Sequence, residues 1–246
     1  MILIRIQIIV FFLSFNFGLR SFAQSPCSEL SSTSKTEVES GKMLSTEATL
    51  PGKPWPQVTA YVRIPGSAKQ AMALFTDFAS HKEIFADLRE SKVASGPSNL
   101  IWDVDYTMSL GIKDVPYSVQ DSLKILTPDQ TSLRLDWAST KTQLIRQIQG
   151  FIAFEQVNGF VCMTYSNLVD PGDIPGSSLL KSQTVTKTKE AVTAFTRHLE
   201  SSLKPEKQAK LSEKILAFDD LLQKNAKTVI SVPPRKTEAS PVDPVR

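Results

Sequence analysis

Catalytic and metal-binding residue patterns are almost absent from this chain of 246 residues. It has two histidines, His81 and His198, and two cysteines, Cys27 and Cys162. A metal site needs a closer cluster of His, Cys or carboxylate ligands than these isolated residues provide. The chain also has no G-x-S-x-G elbow, no P-loop and no glycine-rich dinucleotide motif. We therefore expect no cofactor, no metal and no catalytic residue of these types.

The charge balance and the cysteine count exclude further classes. Lys and Arg number 28 and Asp and Glu number 25, which gives a formal charge of +3. A nearly neutral chain has no electrostatic basis for binding nucleic acid, so we expect no such partner. Two cysteines are too few for a small scaffold held together by disulfides. The sequence leaves open whether Cys27 and Cys162 are free or paired.

The N-terminus has the pattern of a secretory signal peptide. Arg5 precedes an uncharged apolar run at 6–19, and Ser21 and Ala23 are the small residues of a cleavage site. The run is about 14 residues long, whereas a helix needs roughly 20 to span a bilayer. We expect residues 1–23 to be removed and the protein to be exported, either periplasmic or secreted. An uncleaved N-terminal anchor is the alternative.

Composition divides the rest of the chain into a central domain and polar ends. Residues 24–54 are mostly Ser, Thr, Glu and Lys, which predicts a mobile polar arm, and residues 231–246 predict a disordered tail. A ligand-binding domain is predicted at 55–204 and an extra amphipathic helix at 205–230. That helix mixes Lys with acidic residues, which favours packing on the domain or on a partner helix over lying on a membrane.

Hydrophobic periodicity predicts an α+β domain with a curved seven-stranded antiparallel sheet. The first strand is Gln57–Ile64, and two short helices follow it, with start signals at Ser67-x-x-Gln70 and Ser80-x-x-Glu83. Six more strands are predicted at 90–95, 100–108, 115–126, 132–138, 144–156 and 160–169. Asn158-Gly159 predicts a type I′ turn between the last two strands. A long helix at 178–203 completes the domain.

This order of elements resembles the START-like (helix-grip) superfamily, also called SRPBCC, and is closest to START lipid-binding domains. Residues 104–121 are similar to the START segment in which a strand and a Pro-containing turn precede an arginine-aspartate strand. Gln120-Asp121 stands where the family usually has Arg-Asp. Residues 150–165 and 170–175 are similar to the stretch that leads into the last START helix. The resemblance covers residues 55–203.

The resemblance implies a deep cavity between the concave face of the sheet and the last helix. The superfamily uses this cavity for lipids, sterols, isoprenoid quinones or aromatic polyketides. Its lining must be apolar, because burying an unpaired polar group costs about 1–3 kcal/mol. The apolar strand and helix faces supply the candidates, which are Trp102, Tyr106, Met108, Leu135, Trp137, Ile152, Phe154, Met163, Tyr165, Val192 and Phe195. The expected partner is a hydrophobic small molecule or lipid, with transient membrane contact.

The remaining polar residues give weaker candidates. We expect His81 to be exposed in the first turn of its capped helix. His198 is expected to be exposed at the flank of the apolar stripe of the last helix, and entry into the cavity is its alternative. Charged residues that alternate with apolar ones on strands are interpreted as the solvated face of the sheet, namely Asp103, Asp105, Asp121, Arg134, Asp136 and Arg146. The alternative for this set is a buried Arg–carboxylate pair at the end of the cavity, which would orient a ligand head group.

Three functions follow from these observations. The first hypothesis is an exported START-like domain that binds a lipid or similar molecule and carries it between membranes. The second is an enzyme of the polyketide cyclase/dehydrase type, with Tyr106, Tyr165 or Asp105 as its acid or base. The third is an interaction module formed by the extra helix and the tails. The absence of a catalytic motif favours the first hypothesis over the second.

Overall fold

The computed structural model describes residues 27–109, 113–143, 145–172 and 183–230. The predicted signal peptide at 1–23 and the predicted tail at 231–246 lie outside these residues, as do residues 178–182 at the predicted start of the last domain helix. Within the described ranges, no helix is both long enough and apolar enough to cross a membrane.

One antiparallel sheet of eight strands forms the body of the fold. The strands are β1 (Leu44–Ala48), β2 (Gln57–Ile64), β3 (Leu88–Ser98), β4 (Ile101–Ser109), β5 (Asp114–Ile125), β6 (Ser132–Thr142), β7 (Gln147–Val157) and β8 (Phe160–Asp170). Their order across the sheet is β1-β2-β8-β7-β6-β5-β4-β3. At the β7–β8 turn, Asn158 and Gly159 have φ of 47° and 87°. Both values are positive, as the predicted type I′ turn requires.

Five α-helices accompany the sheet in the described part of the chain. They are α1 (Ser32–Glu39), α2 (Ala68–Phe75), α3 (His81–Ile84), α4 (Thr184–Ser202) and α5 (Gln208–Ile230). The predicted capping box of α2 is confirmed, since Gln70 N donates to Ser67 Oγ at 3.2 Å and Ser67 N donates to Gln70 Oε1 at 2.8 Å. The second box is wrong. The Ser80 hydroxyl donates to Asp77 and makes no cap to α3.

The eighth strand corrects the prediction of seven, and it comes from the segment expected to be a mobile arm. β1 pairs with β2 from Leu44↔Tyr61 to Ala48↔Gln57. The helix α1 precedes β1 and buries Val38 against Tyr61 and neighbouring side chains. Composition underestimated this segment because backbone pairing to an existing edge, rather than a large apolar area, holds it in place.

A disulfide joins this N-terminal segment to the sheet. Cys27 bonds to Cys162 on β8, with the two Cα atoms 6.2 Å apart. Both cysteines are buried in a small cluster on the convex side of the sheet, together with Val38, Tyr61 and Phe160. The question that the sequence left open is therefore answered by a single disulfide.

The core lies at one end of the concave face. There α2 and α4 cover the sheet, and Phe154 of β7 and Phe195 of α4 pack with ring centroids 5.7 Å apart. Phe78, which follows α2, packs against Trp102 of β4 at 5.6 Å. These large side chains fill this end of the sheet.

The extra helix packs on the domain. α5 buries Leu211, Phe218 and Leu222, which belong to the main core cluster. Lys69 of α2 pairs with Asp219 at 2.9 Å, and Lys214 pairs with Asp77. The sequence predicts that this helix packs either on its own domain or on a partner helix. In the structure it packs on its own domain.

The disulfide should contribute measurably to stability. It closes a loop with a sequence separation of 135 residues. Such a cross-link restricts the unfolded chain, so we expect the double substitution Cys27→Ser/Cys162→Ser to lower the free energy of unfolding by about 2–4 kcal/mol. Urea unfolding of the two proteins measures this difference. A reductant should shift the wild-type midpoint and leave that of the double variant unchanged. A wild-type midpoint that does not respond to reductant would contradict the prediction.

Candidate functional site

A cavity of about 500 Å³ lies between the concave face of the sheet, α4 and the α2–α3 segment. Aromatic and aliphatic side chains form most of its wall, namely Trp55, Phe75, Phe85, Leu88, Tyr106, Met108, Tyr117, Val119, Trp137, Ile145, Ile148, Tyr165, Val169 and Ala191. Polar lining residues are fewer, and they include His81, Asp87, Asp121, Asn167, Thr184, Lys187 and Thr188.

The structure divides the predicted lining residues between the cavity and the adjacent core. Tyr106, Met108, Trp137 and Tyr165 lie on the cavity wall. The other seven lie in the packed core, and these are Trp102, Leu135, Ile152, Phe154, Met163, Val192 and Phe195. Periodicity identifies the face of a strand but not how far along it the helices fill the space. Contact of the four wall residues with a ligand remains a prediction.

Phe75, at the end of α2, separates core from cavity. Its ring lies 5.3 Å from Phe195 on the core side and 6.4 Å from Trp137 on the cavity side. Beyond it, Tyr117, Trp137 and Tyr165 stand on the concave face and yet retain accessible surface. No described side chain covers these rings completely, and the space beside them is the cavity.

One row of residues in register crosses the sheet beneath the cavity. Strand pairing places in register Trp102 of β4, Asp121 of β5, Trp137 of β6, Gly150 of β7 and Asn167 of β8. A Cβ at Gly150 would lie 2.2 Å from the Ser166 carbonyl oxygen and 2.6 Å from the Trp137 ring. Glycine is therefore required for the indole to lie against β7, between the two polar members of the row.

Asp121 is the most unusual member of this row. Its side chain is 3% exposed, and Oδ2 has no hydrogen-bond partner among the described residues. Burial raises the pKa of Asp121 to about 8, because the ionised form loses its hydration and no described cation replaces it. The carboxyl group is consequently mostly protonated at neutral pH.

The interpretation of Asp121 as a solvated residue was wrong. The apolar phase of β5 is Val115, Tyr117, Val119 and Leu123, and Asp121 occupies the same phase. The alternation of residues along β5 therefore places Asp121 on the apolar, concave face, although its charge alone favours the solvated face. Asn167 likewise lies on the concave face of β8, two residues after Tyr165. Its Oδ1 is also buried without a hydrogen-bond partner among the described residues.

His81 is buried, contrary to the expectation that it would be exposed in the first turn of a capped helix. Its Nε2 lies 2.8 Å from the Phe75 carbonyl oxygen, and its Nδ1 lies 2.9 Å from the Tyr106 hydroxyl. A carbonyl only accepts, so Nε2 carries the proton, and Tyr106 then donates to Nδ1. Burial lowers the pKa of His81 to about 4, although the Phe75 hydrogen bond partly opposes this. A neutral imidazole therefore fixes the Tyr106 ring in the wall.

Most of the other charged candidates lie on the convex face. Asp105 accepts from Ser118 Oγ at 2.6 Å, and Asp103 accepts from Gln120 Nε2 at 3.3 Å. Arg134 donates to Asp136 at 2.6 Å, with its guanidinium 3.7 Å from the centre of the Phe151 ring. These residues are on the solvated face, as predicted. Gln120 also points away from the cavity, so the departure from Arg-Asp leaves the cavity wall unchanged.

Among the described residues, no Arg–carboxylate pair has both of its members in the cavity lining, so the alternative of a pair that orients a head group is not supported. Arg146 pairs with Asp170 at 3.8 Å, near the end of β8, and Asp121 has no such partner. His198 is half-buried rather than exposed, and it does not line the cavity. Burial and the charges of Lys214 and Lys207 lower the pKa of His198.

The cationic side chain that lines the cavity belongs to α4. Lys187 is largely exposed, and it pairs with Asp87 at 3.0 Å and with Glu190 at 3.1 Å. Its charge is therefore already balanced by two carboxylates. Within the described part of the chain, no group of three or more His, Cys, Asp or Glu side chains is arranged to hold a metal ion.

Comparisons with known proteins agree with this architecture. No family model matches the chain, and no curated protein matches it. A STAR-related lipid transfer protein from Xanthomonas axonopodis superposes with a TM-score of 0.57 at 14% identity, over 64% of this chain and 93% of that chain. This chain has a START-like, helix-grip fold. The predicted superfamily is thus confirmed at the level of fold.

Two further solved structures share the START-like fold. The lipid transfer and protein localization domain of human StarD13 has a TM-score of 0.50 at 14% identity, over 70% of this chain and 95% of that chain. A protein from Thermus thermophilus has a TM-score of 0.50 at 16% identity, over 66% of this chain and 98% of that chain. At such low identity the likeness shows the fold alone.

Asp121 should reduce the stability of the fold at neutral pH. Its pKa of about 8 lies above the ordinary value of 3.8. Between these values the unfolded chain ionises while the folded carboxyl keeps its proton, so stability falls as pH rises from 4 to 8. We expect Asp121→Asn to raise the free energy of unfolding by on the order of 2–4 kcal/mol at pH 7 and by much less at pH 4.

Urea unfolding across this pH range measures the effect. The convex-face variant Asp103→Asn is the matched control and should show no gain, because its carboxylate is exposed and hydrogen-bonded. An Asp121→Asn protein that is less stable than wild type at pH 7 would contradict the prediction.

His81 should titrate only in acid. A pKa of about 4 against an ordinary value of 6.5 means that stability is lost as pH falls from 6.5 through 4. The Cε1–H resonance of His81 in NMR spectra should therefore shift with a midpoint near 4. His198→Gln removes the other histidine and assigns the signal. A midpoint near 6.5 would show that the imidazole is hydrated and not bonded to Tyr106.

Proposed function

We propose that this protein is exported and holds a hydrophobic small molecule, in the first instance a lipid, in the START-like cavity. The observation that carries the proposal is the unfilled aromatic wall. Tyr117, Trp137 and Tyr165 keep accessible surface on the concave face, although the core end of the same face is packed completely. Burying that surface against an apolar ligand is favourable by about 25 cal/mol per Å².

The size and composition of the cavity support this proposal. A volume of about 500 Å³ lies within the usual range of about 300–1,000 Å³ for small-molecule sites. Apolar walls with a few polar groups are also typical of such sites. The similar solved structure from Xanthomonas axonopodis is described as a lipid transfer protein, and the human domain as a lipid transfer domain. Transfer between membranes is the corresponding proposal for this chain.

Export is supported by two independent observations. The sequence at 1–23 has the pattern of a signal peptide. The bond between Cys27 and Cys162 suits an oxidising compartment such as the periplasm or the exterior, where disulfides persist. We propose that the protein acts there and contacts membranes transiently to load or release its ligand.

The enzyme alternative receives less support from the site. Asp105 is on the convex face and is no cavity acid. Burial raises the pKa of Tyr165 to about 12 and also raises the pKa of Tyr106 well above its ordinary value, so neither side chain readily forms the phenolate that could act as a base. Both His81 nitrogens are hydrogen-bonded. Asp121 also lines the cavity, and its pKa of about 8 lets it exchange a proton near neutral pH. No described acid or base is hydrogen-bonded to its Oδ2.

The interaction-module alternative loses part of its basis as well. The apolar stripe of α5 packs into the core through Leu211, Phe218 and Leu222. Leu216 is the large apolar side chain of this helix that is strongly exposed, at 66%. A single exposed leucine is ordinary for a soluble helix and does not form a binding surface.

Filling the cavity tests the proposal. Ala191 lies on the cavity side of α4, so Ala191→Phe places a ring in the space that a ligand would occupy. We expect uptake of a fluorescent fatty-chain probe to weaken by about tenfold or more, the equivalent of about 1.4 kcal/mol. Fluorescence titration measures the affinity, and thermal unfolding checks that the variant is folded.

The matched control is Arg197→Phe, which adds the same ring at an exposed position of the same helix. It should bind the probe as wild type does. If Ala191→Phe and wild type bind equally, the probe does not occupy this cavity. Absence of binding by wild type to every fatty-chain probe would contradict the proposed function.

A further inference from the structure

We propose that the ligand of this cavity is an apolar molecule bearing a primary or secondary amine, and that Asp121 is its anchor. The inference rests on the proposed function and narrows it from hydrophobic ligands in general to lipophilic amines. Three features of the described wall carry it: an unpaired carboxyl group, the lack of a nearby protein cation, and the aromatic rings beside the carboxyl group.

The Asp121 carboxyl group is built into the wall without a protein partner among the described residues. Sheet register holds it between Trp102 and Trp137, and its side chain is almost fully buried. No described residue donates a hydrogen bond to Oδ2. Leaving a buried carboxyl group unpaired costs stability. A donor supplied by the ligand would remove that cost, which gives a selective gain to molecules that carry one.

The described part of the cavity offers no protein cation to this carboxyl group. Lys187 is the described lysine or arginine that lines the cavity, and it pairs with Asp87 and Glu190. His81 is neutral near pH 7, with both nitrogens bonded. An anionic head group beside Asp121 would therefore meet a like charge whenever the carboxyl group is ionised. A cationic head group would favour the ionised form and pair with it.

Aromatic rings surround the position that the amine would occupy. Tyr106 and Tyr117 stack with centroids 5.4 Å apart, and Trp137 lies 5.4 Å from Tyr165. Asp121 is close enough for its charge to add to the effect of burial in raising the pKa of Tyr106 and of Tyr117. Ring faces attract ammonium groups. The same wall would contact the apolar part of the ligand.

A ligand with a hydroxyl head group fits this site less well than one with an amine. A hydroxyl group can donate one hydrogen bond to Asp121, but it brings no charge to balance an ionised carboxylate. Hydrogen bonds between charged partners are roughly twice as strong as those between neutral partners. Asn167, in the same row, adds an acceptor in Oδ1 that no described residue pairs, and so also favours a donor on the ligand.

The test compares three probes with the same chain, namely dodecylamine, dodecanol and dodecanoic acid, below their micelle-forming concentrations. Displacement of a fluorescent probe from the full chain gives their affinities at pH 7.5. We expect the amine to bind more tightly than the alcohol by about 10- to 100-fold, the fold-change of one charge-assisted hydrogen bond. The acid should bind more weakly than the alcohol.

The variant Asp121→Asn keeps the shape of the side chain and removes its charge. It should lose the preference for the amine over the alcohol, because no charge remains to pair with the ammonium group. Asp103→Asn, on the convex face of the next strand, removes an equal charge and should keep the preference. Equal affinity of wild type for amine and alcohol, or a preference that survives Asp121→Asn, would overturn the inference while leaving the proposed function intact. Uptake of none of the probes would overturn both.

A second readout distinguishes an ion pair from simple packing. Binding of an ammonium group should expel the proton of Asp121, so amine affinity should rise as pH increases from 6 to 8. Besides Asp121, the titratable side chains that line the cavity are His81 of α3, Asp87, Tyr106 of β4, Tyr117 of β5, Tyr165 of β8 and Lys187 of α4. Burial moves the pKa of His81 below this interval and the pKa values of the three tyrosines further above it, and hydrogen bonds to Asp87 and Glu190 raise the pKa of Lys187. Alcohol affinity should not rise over this range, and an amine affinity that stays constant would overturn the inference.

Discussion

The position of Phe75 determines where the core of this protein ends and its cavity begins. The ring packs against Phe154 and Phe195 on one side and faces Trp137 on the other. The end of α2 is therefore in contact with both the filled and the unfilled part of the concave face. On the far side of this ring, α4 presents smaller residues to the sheet, namely Thr184, Thr188 and Ala191. Small residues opposite large aromatic ones leave the space that we interpret as a ligand site.

The polar groups of the cavity wall differ in whether their hydrogen bonds are satisfied. His81 and Tyr106 satisfy each other and the Phe75 carbonyl, so they stabilise the wall and leave no free proton. Asp121, by contrast, has no described donor to Oδ2 and is mostly neutral at pH 7. A molecule that donated a hydrogen bond to Asp121 would remove the cost of leaving this group unpaired, and its binding would stabilise the fold.

Much of the fold followed from the sequence, because local signals and tertiary structure agree in the central domain. β2 spans Gln57–Ile64 as predicted, and the Ser67–Gln70 capping box and the Asn158-Gly159 turn are both present. β1 was missed because its stability depends on pairing with β2 and on the distant Cys162, neither of which appears in local composition. Asp121 lies in the apolar phase of β5, although its charge favoured an exposed position. His81 was predicted to be exposed in the first turn of a capped helix, but the Ser80 cap does not form and the imidazole is buried. The boundary between cavity and core could not be predicted, since it depends on how far α2 reaches across the sheet.

The central claim is that this START-like cavity holds a hydrophobic molecule. Native mass spectrometry of delipidated protein after incubation with a lipid extract tests it most directly. We expect a stoichiometric adduct whose mass identifies the ligand class, present with wild type and Arg197→Phe and lost with Ala191→Phe. A protein that emerges from the extract without any bound molecule, or an adduct that persists in Ala191→Phe, would contradict it.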